Sequence, residues 1–186
     1  MGRWEPDAGG RLARAALELF AERGFDDTTV LDIAQRAGVT ERTYFRHFAD
    51  KREVLFQGST LLQDAVVAAI TAAPADAAPI EVVGAGMQAA GEVLDDRRDY
   101  AQLRYAAIVA HPSLQERELL KMATLAAAVA AALRERGVPE PAAALLGETG
   151  VTVFKLGFER WIADPSAPGL PECIARALAE LRSLTS

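Results

Sequence analysis

Gly38 stands between two short apolar repeats, and no other feature constrains the fold of this chain as tightly. Before it, Ile33, Ala34 and Ala37 fall on one side of a helical period; after it, Tyr44 and Phe48 do the same. A glycine can take the left-handed backbone conformation that ends one helix and redirects the chain into another. Ala34, four residues earlier, is small enough for the second helix to cross the first closely, and Val39 plugs the turn into the core. Thr29 precedes the first repeat with Asp32 three residues on, a capping-box spacing, and Thr40 is placed to cap a short helix from Glu41 to Phe48. The spacing predicts two short helices held across one another by a tight turn.

The flanks read the same way. Leu12, Ala15, Ala16, Leu19 and Phe20 recur at helical spacing until Gly24 stops them. Asp50 opens a further predicted helix, with Glu53 returning its cap and Leu55, Leu62, Ala65, Val66, Ala69 and Ile70 along one side. Ala73 to Pro79 reads as a loop. Beyond it, Ile80, Val83, Met87, Ala90 and Leu94 form one stripe, and Tyr100, Leu103 and Ala107 form the next, which ends at His111 before Pro112. Longer helices are expected over about 113–136, closed by Gly137, and about 142–163. A last one carries Leu170, Ile174, Ala177, Leu178, Leu181 and Leu184. No segment shows strand alternation. With 51% hydrophobic and only 6% aromatic residues, the apolar mass is mostly Ala, Leu and Val, which favours close helix packing over a sheet. The expected fold is all-α: a three-helix unit over 1–50, then a helical bundle over 51–186.

The formal net charge of −6 argues mildly against a nucleic-acid partner. Locally the balance shifts. Residues 40–52 hold Arg42, Arg46, Lys51 and Arg52 against Glu41 and Asp50, with His47 between them. Cys173 is the single cysteine, so no disulfide or Cys-based zinc framework is expected. Two distant histidines, His47 and His111, offer no metal spacing, no catalytic constellation can be named, and no cofactor is expected. No charge-free apolar run approaches eighteen residues, so a soluble intracellular chain without a membrane span is expected.

With Ile33, Val39, Tyr44 and Phe48 turned inward, Glu41, Arg42, Thr43, Phe45, Arg46 and His47 are left outward or at the rim. Hydroxyls and long cations on such a helix suit phosphate oxygens and base edges in the DNA major groove. The alternative is an ordinary helical hairpin with a polar face. The block Gly24-Phe25, Thr28-Thr29-Val30, Ile33-Ala34, Ala37-Gly38-Val39, Thr43, His47-Phe48 and Lys51 resembles the N-terminal domain of TetR-family transcriptional regulators over about residues 10–56. The resemblance implies that the third helix enters the major groove. It also implies that Thr29, Thr43, His47 and Lys51 hold phosphates while Glu41, Arg42 and Phe45 face bases or the adjoining backbone. Thr40 joins them at the helix cap. The family commonly has tyrosine where this chain has Phe45, so Arg46 is expected to replace the missing hydroxyl and Phe45 to meet a thymine methyl or a sugar. Arg3 and Arg11 are candidates for added charge from an N-terminal arm.

The same resemblance implies a homodimer on a palindromic double-stranded DNA operator, released by a small, largely apolar effector bound in the C-terminal helices. The expected effector-binding residues are Met87, Tyr100, Leu103, Arg104, Met122, Phe154 and Trp161, although the same side chains would serve equally as core. Leu146, Gly150, Val153 and Gly157 on the penultimate helix, with Ile174, Leu178 and Leu181 on the last, are the expected dimer contacts. Burial within one protomer is the alternative. A constitutive DNA binder without an effector remains open beside the ligand-responsive reading.

Overall fold

A computed structural model describes residues 7–184, and all regular structure in them is helical. The α-helices are α1 (Ala8–Arg23), α2 (Val30–Arg36), α3 (Glu41–His47), α4 (Ser59–Ala72), α5 (Pro79–Leu94), α6 (Arg98–Ala110), α7 (Pro112–Glu135), α8 (Ala142–Ala163) and α9 (Leu170–Leu184). Two short 3-10 turns, Glu53–Phe56 and Asp95–Arg97, lie between them. Two compact units divide the chain. The first takes the chain up to Gly58 together with Gln102–Glu118, and the second takes Ser59–Ala101 with Leu119–Ser186. The expected boundary at residue 50 is therefore corrected.

In the first unit the termini of α1, α2 and α3 follow from local chemistry. Gly24 ends α1 at φ 85, a backbone angle that costs a side-chain-bearing residue. Thr29 and Asp32 form a reciprocal capping box on α2, and the Thr40 hydroxyl accepts the Thr43 amide at the start of α3. Gly38 adopts φ 69 in the turn between them, and nothing lies near the place a Cβ would occupy. Glycine is needed there for its backbone angle, not for space. The unit's core is Leu12, Ala16, Leu19, Ile33, Ala34, Tyr44, Val54 and Leu55, all buried.

The helix expected from Asp50 does not form as one piece. Asp50 accepts the amides of Arg52 and Glu53, but the chain makes only a 3-10 turn before Gly58, at φ 85, breaks it. The turn stays with the first unit because two arginines hold it. Arg104 donates to the Leu55 carbonyl (2.7 Å) and Arg117 to the Glu53 carboxylate (2.5 Å), and both guanidiniums lie about 5 Å from the Phe56 ring. The stretch Glu53–Ala72 is long and apolar enough to cross a membrane by length and composition alone. The break at Gly58 and the ion-paired Glu53 give it a packing role instead.

The second unit is built on α4, α5, α8 and α9, with glycines at the close approaches. A Cβ on Gly157 would lie 2.8 Å from the Ile174 Cα on α9. One on Gly150 would lie 2.7 Å from Val83 on α5, and one on Gly84 would lie 2.4 Å from Leu178. Arg98 holds the C-terminal end of α8 by donating to the carbonyls of Trp161, Asp164 and Pro165, satisfying groups a helix end leaves unpaired. Asp95 accepts the Leu170 amide at 2.6 Å and fixes the start of α9. Cys173 is buried, and desolvation pushes its thiol above the ordinary value, which suits an inert core residue.

This packing corrects the expected dimer contacts. Gly150, Val153, Gly157, Ile174 and Leu178 are buried inside the protomer, because the small-residue side of α8 is taken up by α5 and α9. Leu146 and Leu181 are only half-buried. The side of α8 turned outward instead carries Leu145 (65% exposed), Thr152 and Leu156 (54% exposed).

Candidate nucleic-acid interface

The outer face of α3 is set by what its inner face must do. Tyr44 is fully buried and its phenol donates to the Asp50 carbonyl at 3.1 Å, while burial pushes its pKa upward. Phe48 packs beside it at 5.4 Å. With two large rings anchored inward, the helical period turns Glu41, Arg42, Phe45, Arg46 and His47 outward, and all five are exposed. Thr43 is half-buried and Thr40 exposed, and their hydroxyls lie 3.1 Å apart. Thr40, Arg42, Thr43, Phe45 and Arg46 line one open hollow. Phe45 is 56% exposed and stands edge-on to the Tyr44 ring at 5.5 Å, so the buried ring positions the exposed one.

Ion pairing resolves the apparent conflict with the acidic composition. Arg23 pairs with Asp32, Arg36 with Glu18 and Glu22, and Arg52 with Asp50. These pairs hold the carboxylates of Asp32, Glu22 and Asp50 below the ordinary range. The hydroxyl and amide of Thr29 contribute most at Asp32, and the arginine hydrogen bonds contribute most at the other two. Arg42 and Arg46, by contrast, have no acid or carbonyl partner among the described residues, as is also true of Arg14 on α1. The acids thus neutralise the scaffold and leave the cations of α3 open to an outside partner.

Two of the expected contacts have other work. Lys51 sends its ammonium to the carbonyls of Phe25 (2.6 Å) and Thr28 (2.8 Å) and sits 4.1 Å from the centre of the Phe25 ring. Burial lowers its pKa. Its position corrects the expectation of a plain phosphate contact: it clamps the loop that leads into α2. Arg11 donates to the Ala37 carbonyl, a contact with the end of α2 and not part of a trailing arm. Arg3 lies outside the described residues. Thr29 is exposed, but its hydroxyl is engaged with Asp32.

The expected effector-binding residues are not brought together. Met87, Phe154 and Trp161 are buried in the second unit as core. Tyr100 and Met122 are half-buried in the same unit. Leu103 and Arg104 belong to the first unit, where Leu103 is 49% exposed and Arg104 is committed to Glu118 and the Leu55 carbonyl. His111 does not point at a ligand either. Its Nε2 meets Asp26 at 3.0 Å, its Nδ1 meets the Ser113 hydroxyl at 2.9 Å, and its ring packs on Phe25. A Pro after His111 signalled a helix end, but nothing local signalled a partner 85 residues away.

Comparison with known proteins agrees with this geometry. Residues 12–57 match the family described as bacterial regulatory proteins, tetR family, and residues 77–185 match the MftR C-terminal domain. The HTH-type transcriptional regulator TcmR of Streptomyces glaucescens is 40% identical over 86 residues, which are 46% of this chain and 38% of that protein. The match thus spans well under two thirds of that relative's own length. Among solved structures, Thermus thermophilus FadR, a TetR-family transcriptional repressor in complex with lauroyl-CoA, is 26% identical with a TM-score of 0.56. That alignment covers 94% of this chain and 93% of the other. Bacillus subtilis FadR, in complex with stearoyl-CoA, shares the fold at a TM-score of 0.66 and 16% identity, over 92% of this chain and 96% of that one. With the second family match alone covering more than half of its residues, the chain belongs to the TetR family of bacterial transcriptional regulators.

Proposed function

We propose that this protein is a sequence-specific DNA-binding repressor that acts in the cytoplasm as a homodimer. In this reading one α3 from each protomer enters the major groove of a palindromic operator, with half-sites one helical turn, about 34–36 Å, apart. The observation that carries the reading is the unpaired Arg42 and Arg46 beside an exposed Phe45, on a helix whose other side is anchored by buried Tyr44. Arg42, in the first turn, suits a bidentate contact to a guanine O6/N7 edge. Thr29, Thr40, Thr43, Arg46 and His47 suit phosphates around it, and Glu41 suits a cytosine amine. Selection of bound sequences from a random DNA pool tests this directly, and an enriched palindrome is the expected result. On that operator Arg42→Ala weakens binding by about 1–3 kcal/mol while random DNA is nearly unaffected. Equal losses on both would make Arg42 a phosphate contact.

A small-molecule effector would release the operator by favouring a dimer with the wrong spacing between its two α3 helices. Support comes from the 26% identical repressor crystallised with lauroyl-CoA. Lauroyl-CoA is therefore the first probe, and operator release followed by fluorescence anisotropy is the readout. The packed core around Met87, Phe154 and Trp161 favours a second reading, a constitutive binder. That reading is carried if neither lauroyl-CoA nor other apolar acids shift operator affinity.

A further inference from the structure

Phe45 poses a problem that a generic DNA-binding face does not answer. The other exposed side chains of α3 are charged or ionisable, and each would find water or phosphate equally acceptable. A ring 56% exposed in their midst gains nothing from a phosphate and nothing from water. Its rotational freedom is also curtailed by the edge contact with Tyr44, whose own position is fixed by burial and by the bond to the Asp50 carbonyl. The ring is a rigid apolar wall of a hollow whose other walls are Thr40, Arg42, Thr43 and Arg46. The major groove offers one apolar group for such a wall, the C5 methyl of thymine.

The neighbours narrow the site further. Glu41 and Arg42 are adjacent in the first turn, exposed, and without partners among the described residues. A carboxylate accepts from cytosine N4 and repels phosphate, whereas a guanidinium donates to guanine O6 and N7. Together they suit G·C pairs and discourage a purely backbone-bound pose. Phe45 follows Arg42 by three residues, about 4.5 Å along the helix at 1.5 Å per residue. That rise corresponds to one or two base steps.

The geometry points to a half-site in which Phe45 packs on a thymine C5 methyl one or two base pairs from a G·C pair read by Arg42 and Glu41, so that recognition depends on the methyl itself. The inference rests on the proposed role of α3 as the DNA-reading helix. It has a chemical corollary: 5-methylcytosine presents the same methyl at the same ring position, so part of the contact survives a T-to-5-methylcytosine change and not a T-to-cytosine change.

The test uses the full-length protein and the operator recovered by random-pool selection. Each thymine is replaced in turn by deoxyuridine, which removes only the methyl, and affinity is measured by fluorescence anisotropy. Wild-type protein is expected to lose about fourfold at one thymine per half-site, and about fifteenfold when both half-sites are altered, the scale of one buried methyl at each. Phe45→Ala should bind the thymine and deoxyuridine operators alike. Phe45→Leu, which keeps an apolar wall, should retain the discrimination and guards against loss of binding through misfolding. If no deoxyuridine position weakens wild type, or if Phe45→Ala keeps the full difference, the methyl contact is overturned while the operator stands. If selection enriches no sequence, the DNA-reading role itself fails.

Discussion

Lys51 reaches back across the chain to the carbonyls of Phe25 and Thr28, 26 and 23 residues away, and holds the loop that presents Thr29 to α2. Sequence similarity implies a phosphate contact at this position. The geometry gives an ammonium already shared between two carbonyls and the Phe25 ring. Replacing it by methionine leaves both carbonyls without their charged donor, and buried or half-buried acceptors lose about 1–3 kcal/mol in that situation. Lys51→Met should therefore lower chemical-denaturation stability by that amount. The salt dependence of DNA binding should change by less than one phosphate's worth, as measured by the slope of log K against log salt. A full unit of lost slope with unchanged stability would restore the phosphate role. At this scale the exposed face of α3 was legible, since two inward rings four residues apart dictate which neighbours face out. The destination of Lys51 was not, because it depends on a loop far away in sequence.

Among the helices, α8 shows how far periodicity goes. Its two apolar sides were readable, but which side would meet a partner was not, because glycine is equally suited to a neighbour in the same chain or in another. Gly157 answers it: its α-carbon faces the Ile174 backbone, where even one methyl lies 2.8 Å from the Ile174 Cα. Gly157→Val should cost about 1–3 kcal/mol through overpacking, seen as a lower melting temperature and not first as a loss of dimer. The segment after α3 teaches a different lesson. Asp50 and Glu53 had the spacing of a helix start, yet Gly58 and the two arginines that hold the 3-10 turn outweigh it. Asp50 also gives the first unit an acid limit. The Arg52 guanidinium, with the Glu53 and Arg52 amides, holds its carboxyl below the ordinary 3.8. Its contribution is complete above that value and is lost as pH falls through the lowered folded-state value. Melting temperatures measured from pH 6 downward should drop more steeply for wild type than for Asp50→Asn. Parallel curves would remove Asp50 from the account.

For the molecule as a whole, the proposed dimer now rests on the outward side of α8. Leu145 and Leu156, both more than half exposed, lie on the side of α8 that remains free once α5 and α9 have taken its glycines. Light scattering should report a particle near twice 19.9 kDa, and Leu156→Glu should shift it toward the monomer while leaving helix content intact. A wild-type monomer at micromolar concentration would overturn the homodimer. By linkage, an effector that weakens operator binding must itself bind more weakly to the DNA-bound dimer by the same factor.

By itself the sequence determined the helices, most of their ends and the outward face of α3, because caps, glycine turns and the 3.6-residue period act over a few neighbouring positions. The tertiary structure decided which apolar side of α8 is internal, where the first unit ends, and that Met87, Phe154 and Trp161 are core. It also decided that the acids near α3 pair with other arginines and leave Arg42 and Arg46 free. Those outcomes depend on which surfaces meet across tens of residues, and an apolar or charged side chain carries no local record of its distant partner.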